Sequence, residues 1–288
     1  MASEWSMSPS ATTWLTMAVQ LGFVAGTCTS AALLLSDRLS ARYLAALCAF
    51  LAAASTALIA VPGVGPGDAI ALRAVTGAAL AGVYPPGIKI AAGWWKERRG
   101  TAIGILVGAL TLGSASPNLF RLATVGADWR ATIITAAVAS LGAAVLFVLV
   151  VREGPYQAPS APFDARALGR VLRHRGVALA TGGYLGHMWE LYAMWSSIGL
   201  FWAHVASRYA LSAHSAPVLA FITIAAGAIG CVVAGVAADR VGRANVTIAA
   251  MAVSGFCALV IGPLVATSLQ LVFVVAIVWG VAIIADSA

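Results

Sequence analysis

The sequence predicts an all-α, multi-pass membrane protein, and three observations carry that prediction. First, 61% of the 288 residues are hydrophobic and only 9% are charged, where a soluble domain carries about 25% charged residues. Second, the apolar residues fall in runs of about 20 without alternation of polar and apolar positions, so they read as bilayer-crossing helices rather than barrel strands. Third, the basic residues sit in short breaks between the runs and favour every second break, which is how charge orients helices in a membrane.

The chain opens with a polar stretch, residues 1–11, that has neither the basic start nor the apolar core of a secretory signal. Nine apolar segments follow, near 13–35, 43–61, 69–94, 101–122, 131–151, 177–206, 216–238, 246–267 and 269–284. The third and fourth anchor the count. They flank Lys96-Glu97-Arg98-Arg99, a break too short for anything but a tight turn at one membrane face, so one turn fixes two spans and their directions. One set of loops holds twelve basic residues: Arg38 and Arg42; Lys96, Arg98 and Arg99; Arg152, Arg166, Arg170, Arg173 and Arg175; Arg240 and Arg243. The opposite set holds only Arg121, Arg130 and Arg208. The first set is therefore expected in the cytoplasm, with the N-terminus outside and the end of the ninth segment inside.

This pattern also limits the classes of function. The net charge of +7 is spread over short loops and forms no phosphate-binding stripe, so nucleic acid is not an expected partner. Cys28, Cys48, Cys231 and Cys257 lie inside apolar runs without CxxC spacing or a nearby histidine, which speaks against zinc or a disulfide framework. No cofactor is expected. An intramembrane enzyme would need paired aspartates, a Ser/His set or HExxH within the spans; His187-x-x-Glu190 alone meets none of these.

The longest loop, 152–176, divides the chain into an N-terminal bundle, 1–151, and a C-terminal bundle, 177–288. Its first half is Pro-rich. Its second half places Arg166, Arg170 and Arg173 on one helical face and Leu168, Val171 and Leu172 on another, the pattern of a short helix at an anionic interface or of a solvated linker helix. The two halves echo each other. An Asp37-Arg38 turn closes the first segment and an Asp239-Arg240 turn closes the seventh, between spans of the same direction. Internal repetition of this kind suggests two like-oriented bundles.

Gly235-Val236-Ala237-Ala238-Asp239-Arg240-Val241-Gly242-Arg243 resembles the G-x-x-x-D-R-x-G-R signature of the major facilitator superfamily. Arg73-x-x-x-Gly77 resembles that family's fourth-helix motif, and Gly104-x-x-x-Gly108-x-x-x-x-Gly113 its glycine-rich fifth helix. The first Asp-Arg turn departs from the signature, with Leu33 and Ser40 at the glycine positions and Ala41 in place of a basic residue. Ala109 stands where the fifth helix often has proline. The resemblance implies a two-bundle transporter fold that moves a small solute across a membrane by alternating access. It aligns the nine segments with family helices two to ten of twelve, so the chain reads as a fragment of that fold. It also implies a cytoplasmic gate, in which Asp239 faces the helix that begins at Gly100-Thr101 while Arg240 and Arg243 tether neighbouring groups. Asp37 and Arg38 would hold the matching place against the family's eleventh helix. The expected setting is the plasma membrane (the inner membrane in a bacterium), and the expected partners are the lipid bilayer, a small-molecule substrate and protons. An uncoupled facilitator and a transporter-like sensor are the alternatives.

Ionisable groups inside a span are costly, so they are the first candidates for chemistry. Arg73 lies in the outer part of the third segment, a few residues below Asp68. Lys89 lies near that segment's cytoplasmic end and reads as a snorkelling side chain. In the sixth segment His187 and Glu190 are three residues apart, within hydrogen-bonding reach on one helical face, which is what a proton relay needs. A His–Glu pair that only locks two helices is the competing reading. Tyr184, Trp189, Tyr192 and Trp195 offer aromatic surface to an organic solute or to the interface. Pro85 and Pro86 should bend the third segment. Gly77, Gly104, Gly108 and Gly113 suit close helix packing.

Overall fold

The structure, a computed structural model, describes residues 1, 4–95, 97, 99–123, 128–156, 169, 174–212 and 214–285. Among them the regular elements are all helices: α1 Pro9–Leu33, a short α2 Leu35–Arg38, α3 Ala41–Leu58, α4 Pro66–Leu80, α5 Tyr84–Trp94, α6 Arg99–Ala123, α7 Trp129–Leu149, α8 Arg175–Arg208, α9 Ser215–Val241, α10 Arg243–Leu264 and α11 Leu269–Ala285. Six of these, α1, α3, α6, α7, α9 and α10, are long and apolar enough to cross a membrane, and α11 is a shorter apolar helix. The amphipathic helix expected around Arg166, Arg170 and Arg173 lies outside the described residues, as do Lys96 and Arg98.

The third expected span is not one bent helix but two. Pro85 and Pro86 have no N–H to give, so the carbonyls one turn earlier lose their partners. The chain tightens instead: Gly82 N–H bonds Ala79 O and Val83 N–H bonds Leu80 O, and α5 restarts with Gly87 N–H on Val83 O at 3.0 Å. Gly82 sits in the break against the Cys48 side chain of α3, where a Cβ would collide with the sulfur.

The helices are built with small residues inside and large apolar ones outside, the arrangement that suits a lipid solvent. In α3 the buried positions include Ala45, Ala46, Ala49, Ala52, Ala53 and Ser55, while Leu47, Phe50, Leu51 and Leu58 are exposed. Lipid tails solvate such a face without the penalty water would impose.

The chain folds as two compact units, Met1–Lys96 with Thr124–Phe163, and Glu97–Ala123 with Asp164–Ala288. This division departs from the boundaries at 151 and 177, because α6 groups with the later helices. The reason is steric: Gly100, Gly104 and Gly108, spaced one turn apart, let α6 lie directly on the backbone of α9 at Gly235, Cys231 and Ala228. Gly113 is off that stripe and a Cβ there would meet open space, so it is not a packing glycine.

In the first unit α1 and α4 run parallel in tight register. Gly22 faces Ala74, Gly26 faces Ala78 and Gly77 faces Val19, each so close that a Cβ would clash with backbone. The outer end is tied by Glu4, which accepts from Arg130 Nη2 at 2.7 Å and from Trp129 Nε1 at 2.5 Å. The Arg130 guanidinium holds the Glu4 and Asp128 carboxyls below the usual carboxylate range. In the second unit α9 and α11 run parallel, with Gly227 and Gly230 against Gly280 and Val281. At its outer end Arg208 Nε and the Tyr209 hydroxyl both donate to Val265 O at 3.1 Å. These helix directions agree with the alternation read from the loop charges.

Candidate functional site

The last turn of α9 meets the first turn of α6 at the end that charge places in the cytoplasm. Asp239 Oδ1 accepts from the Gly100 N–H at 3.1 Å, and Oδ2 accepts from the Thr101 N–H at 3.0 Å and the Thr101 hydroxyl at 2.9 Å. The first N–H groups of a helix have no partner within it, and they carry the positive end of its dipole, so a carboxylate is suited to both. Gly235 makes the approach possible, since a Cβ there would lie 2.5 Å from Gly100 O. Gly242, at φ 90°, turns the chain from α9 directly into α10 through a conformation that side chains resist. Gly235, Asp239 and Gly242 thus account for three of the five fixed residues of the signature.

The arginines behave differently from the expectation. Arg240 and Arg243 are exposed, and among the described residues neither has a hydrogen-bond or ion-pair partner. Asp239, the nearest acid, is occupied by the α6 backbone, and Arg243 acts on it only through its field. Arg38 is likewise exposed and unbonded.

The corresponding turn of the first unit is closed by an ion pair. Lys89 Nζ donates to Asp37 Oδ1 at 2.8 Å and to Ser36 O at 2.6 Å. Lys89 therefore does not snorkel to the interface; it clasps α5 to the turn between α1 and α3. Without glycine at this turn, Leu34 takes a left-handed conformation at φ 52°. Around the clasp, Ser40 Oγ donates to Glu153 Oε1 at 2.6 Å, Trp94 Nε1 to Arg152 O at 2.9 Å, and the Tyr156 N–H to Gly93 O at 2.9 Å.

In α8, His187 heads a buried stripe that continues through Leu191, Met194, Ile198 and Trp202. Glu190 is half-buried and takes a hydrogen bond from Ser254 Oγ of α10 at 2.5 Å. Ser254 Oγ in turn accepts from Trp279 Nε1 of α11 at 3.1 Å. The indole can only donate, so the serine proton is directed at the carboxylate. Among the described residues Glu190 is bonded to Ser254 rather than to His187, so the spacing that allowed a His–Glu pair is not used. The His187 ring lies 6.1 Å from the Tyr184 ring. Tyr184 and Trp189 are 57% and 82% exposed; Trp189 shares its side of the helix with Gly182 and Gly186, where a Cβ would meet open space. Ser254 and Trp279 were missed in the sequence. A tryptophan inside the most apolar helix was the available signal, because its N–H needs an acceptor.

Arg73 is half-buried in α4, and its Nε donates to Leu15 O of α1 at 3.2 Å. Asp68, the acid nearest in sequence, instead takes the Gly65 N–H on Oδ2 at 3.1 Å. Gly77, one turn below Arg73, lies on α1 at Val19.

Stacked apolar helices, six of them of membrane-crossing length, closed at one end by a carboxylate on a helix terminus, define a multi-pass helical membrane protein. The chain belongs to the Major Facilitator Superfamily, whose family model matches residues 1–285. It is a membrane transporter of that superfamily. No curated protein matches the chain.

Proposed function

We propose that the protein is a proton-coupled secondary transporter of a small solute in the plasma membrane, with Glu190 as the group that carries the proton. One observation supports this above the others. Glu190 sits at the middle of a 34-residue helix, half-buried, with a single serine hydroxyl bonded to it and no cation beside it among the described residues. An ionisable side chain at the middle of a bilayer-crossing helix is costly, so a membrane protein that keeps one there keeps it for function. One exposed side of α8 belongs to the same reading: Gly182, Gly186 and Trp189 share it and give room and aromatic surface for an organic solute.

Alternating access would then move α6 relative to α9 and be gated by Asp239 on the α6 terminus. Proteoliposomes loaded with a pH dye test the coupling. Organic acids, amines and sugars are added outside, and the lumenal pH is followed. The expected result is a pH change elicited by one class of solute and abolished by Glu190→Gln, with insertion intact. Solute entry without any pH change leaves an uncoupled facilitator. An unaltered pH response in Glu190→Gln removes the role of that residue.

A further inference from the structure

Among the described residues of its own unit, Arg73 is a cation without a counter-ion. The first unit has five described acids, and each is committed elsewhere. Glu4 and Asp128 hold Arg130. Asp37 holds Lys89. Asp68 takes the Gly65 N–H and Glu153 takes the Ser40 hydroxyl. Among the described residues the guanidinium makes one bond, from Nε to Leu15 O. A charge half-buried in a span is retained at a cost of several kcal/mol unless an opposite charge meets it.

The geometry of that one bond indicates what would meet it. With Nε fixed on α1, the Nη1 and Nη2 groups form the remaining edge of the guanidinium, two parallel N–H donors whose spacing fits the two oxygens of a carboxylate. The backbone behind the fork is rigid. Gly77 lies one turn further on in contact with Val19 of α1, and Ala74 lies against Gly22. The helix that carries the fork is thus set against α1 and the Nε bond ties the side chain to it, which lowers the ordering cost of binding.

We infer that Arg73 is the anion-binding residue of a solute site in the first unit, and that the solute carries a carboxylate. The inference rests on the transporter reading above and adds to it the class of substrate. A lipid phosphate at the outer leaflet offers the same oxyanion chemistry, so the test has an arm for each source.

Purified full chain in neutral-lipid nanodiscs is titrated with benzoate and succinate, and with benzamide and succinamide as uncharged counterparts, and thermal unfolding is recorded. At least one carboxylate should stabilise saturably while its amide does not. Arg73→Gln should weaken that response at least about tenfold, the value of a charged hydrogen-bond pair. Arg73→Lys keeps the charge but loses the fork, so it should retain part of the affinity, and it serves where the glutamine variant fails to fold. In parallel, native mass spectrometry of the protein from phosphatidylglycerol vesicles records retained lipid. No response to either carboxylate, or a response unchanged in both variants, overturns the assignment. Retained phosphatidylglycerol that is lost in Arg73→Gln, with no carboxylate response, also overturns it in favour of a headgroup site. The assay has no proton gradient, so a failure of coupling at Glu190 leaves its outcome intact.

Discussion

Asp239 and Thr101 are joined through a single carboxylate oxygen, which accepts both the Thr101 backbone N–H at 3.0 Å and its hydroxyl at 2.9 Å. With the Gly100 N–H on the other oxygen at 3.1 Å, the side chain satisfies the start of α6 as an N-cap would, but from a different helix. The bonds form only while α9 and α6 are in this register. They therefore stabilise one conformation of the transporter relative to any in which that register is lost.

Replacing Asp239 with Asn keeps the shape but leaves one acceptor oxygen, puts an NH₂ against N–H donors and removes the charge from the helix dipole. The loss should be about 1 kcal/mol, roughly a fivefold shift between conformations. A cysteine at Ala102, which is 5% exposed beside the latch, reports it. Maleimide labelling from the cytoplasmic side should be faster in Asp239→Asn and intermediate in Thr101→Val. Equal rates in all three proteins would remove the latch as a gate.

The α6 glycines give the second prediction. Gly104 is spaced from α9 so closely that a Cβ would collide with Cys231 O, whereas Gly113 faces open space. Gly104→Ala should therefore cost about 1–3 kcal/mol through forced separation of the helices. Gly113→Ala should be neutral or gain up to about 1 kcal/mol from helix propensity. Thermal unfolding of the purified protein in micelles separates them: the first should melt lower than the parent and the second no lower. Equal melting temperatures would mean that α6 and α9 do not pack through this stripe.

The helices were legible in the sequence because bilayer length and loop charge act locally: every run of apolar residues but the third, which is broken at 81–83, became one helix within a few residues of its expected ends. The Asp239 contact was expected from the resemblance of the nine-residue turn to the family signature, whose arrangement sets that turn beside the helix beginning at Gly100-Thr101. What stayed hidden was side-chain pairing across sequence distance. Ser254 reaches Glu190, and Trp279 reaches Ser254, from helices far along the chain, and nothing local to His187-x-x-Glu190 indicates that the carboxylate bonds that serine. Gly113 was misjudged because five residues, not four, separate it from Gly108, which rotates it off the stripe. Lys89 was read from its depth alone. The break at 81–83 uncouples α5 from α4, and that local event sets which way the lysine points.

That break makes the last prediction. The α5 helix, Tyr84–Trp94, has lost its hydrogen-bonded continuity with α4 and is held by contacts at its far end. The central one is the Lys89–Asp37 pair at 2.8 Å, with side chains 26% and 34% exposed. An ion pair so partly screened is worth about 1 kcal/mol or less in isolation. It closes a hinge, however, so its loss should show as local opening rather than global instability. Hydrogen exchange of a peptide covering 84–94 should quicken in Lys89→Gln and in Asp37→Asn, while peptides from α9 and α10 stay at parent rates. Combining Lys89→Asp with Asp37→Lys restores the attraction in reverse and should return the peptide part of the way, short of parental protection because the Ser36 O contact at 2.6 Å is not rebuilt. Exchange that is unchanged in the single variants, or that the reversed pair fails to slow, would show that α5 is held by Trp94, Gly93 and the 152–156 segment without the clasp.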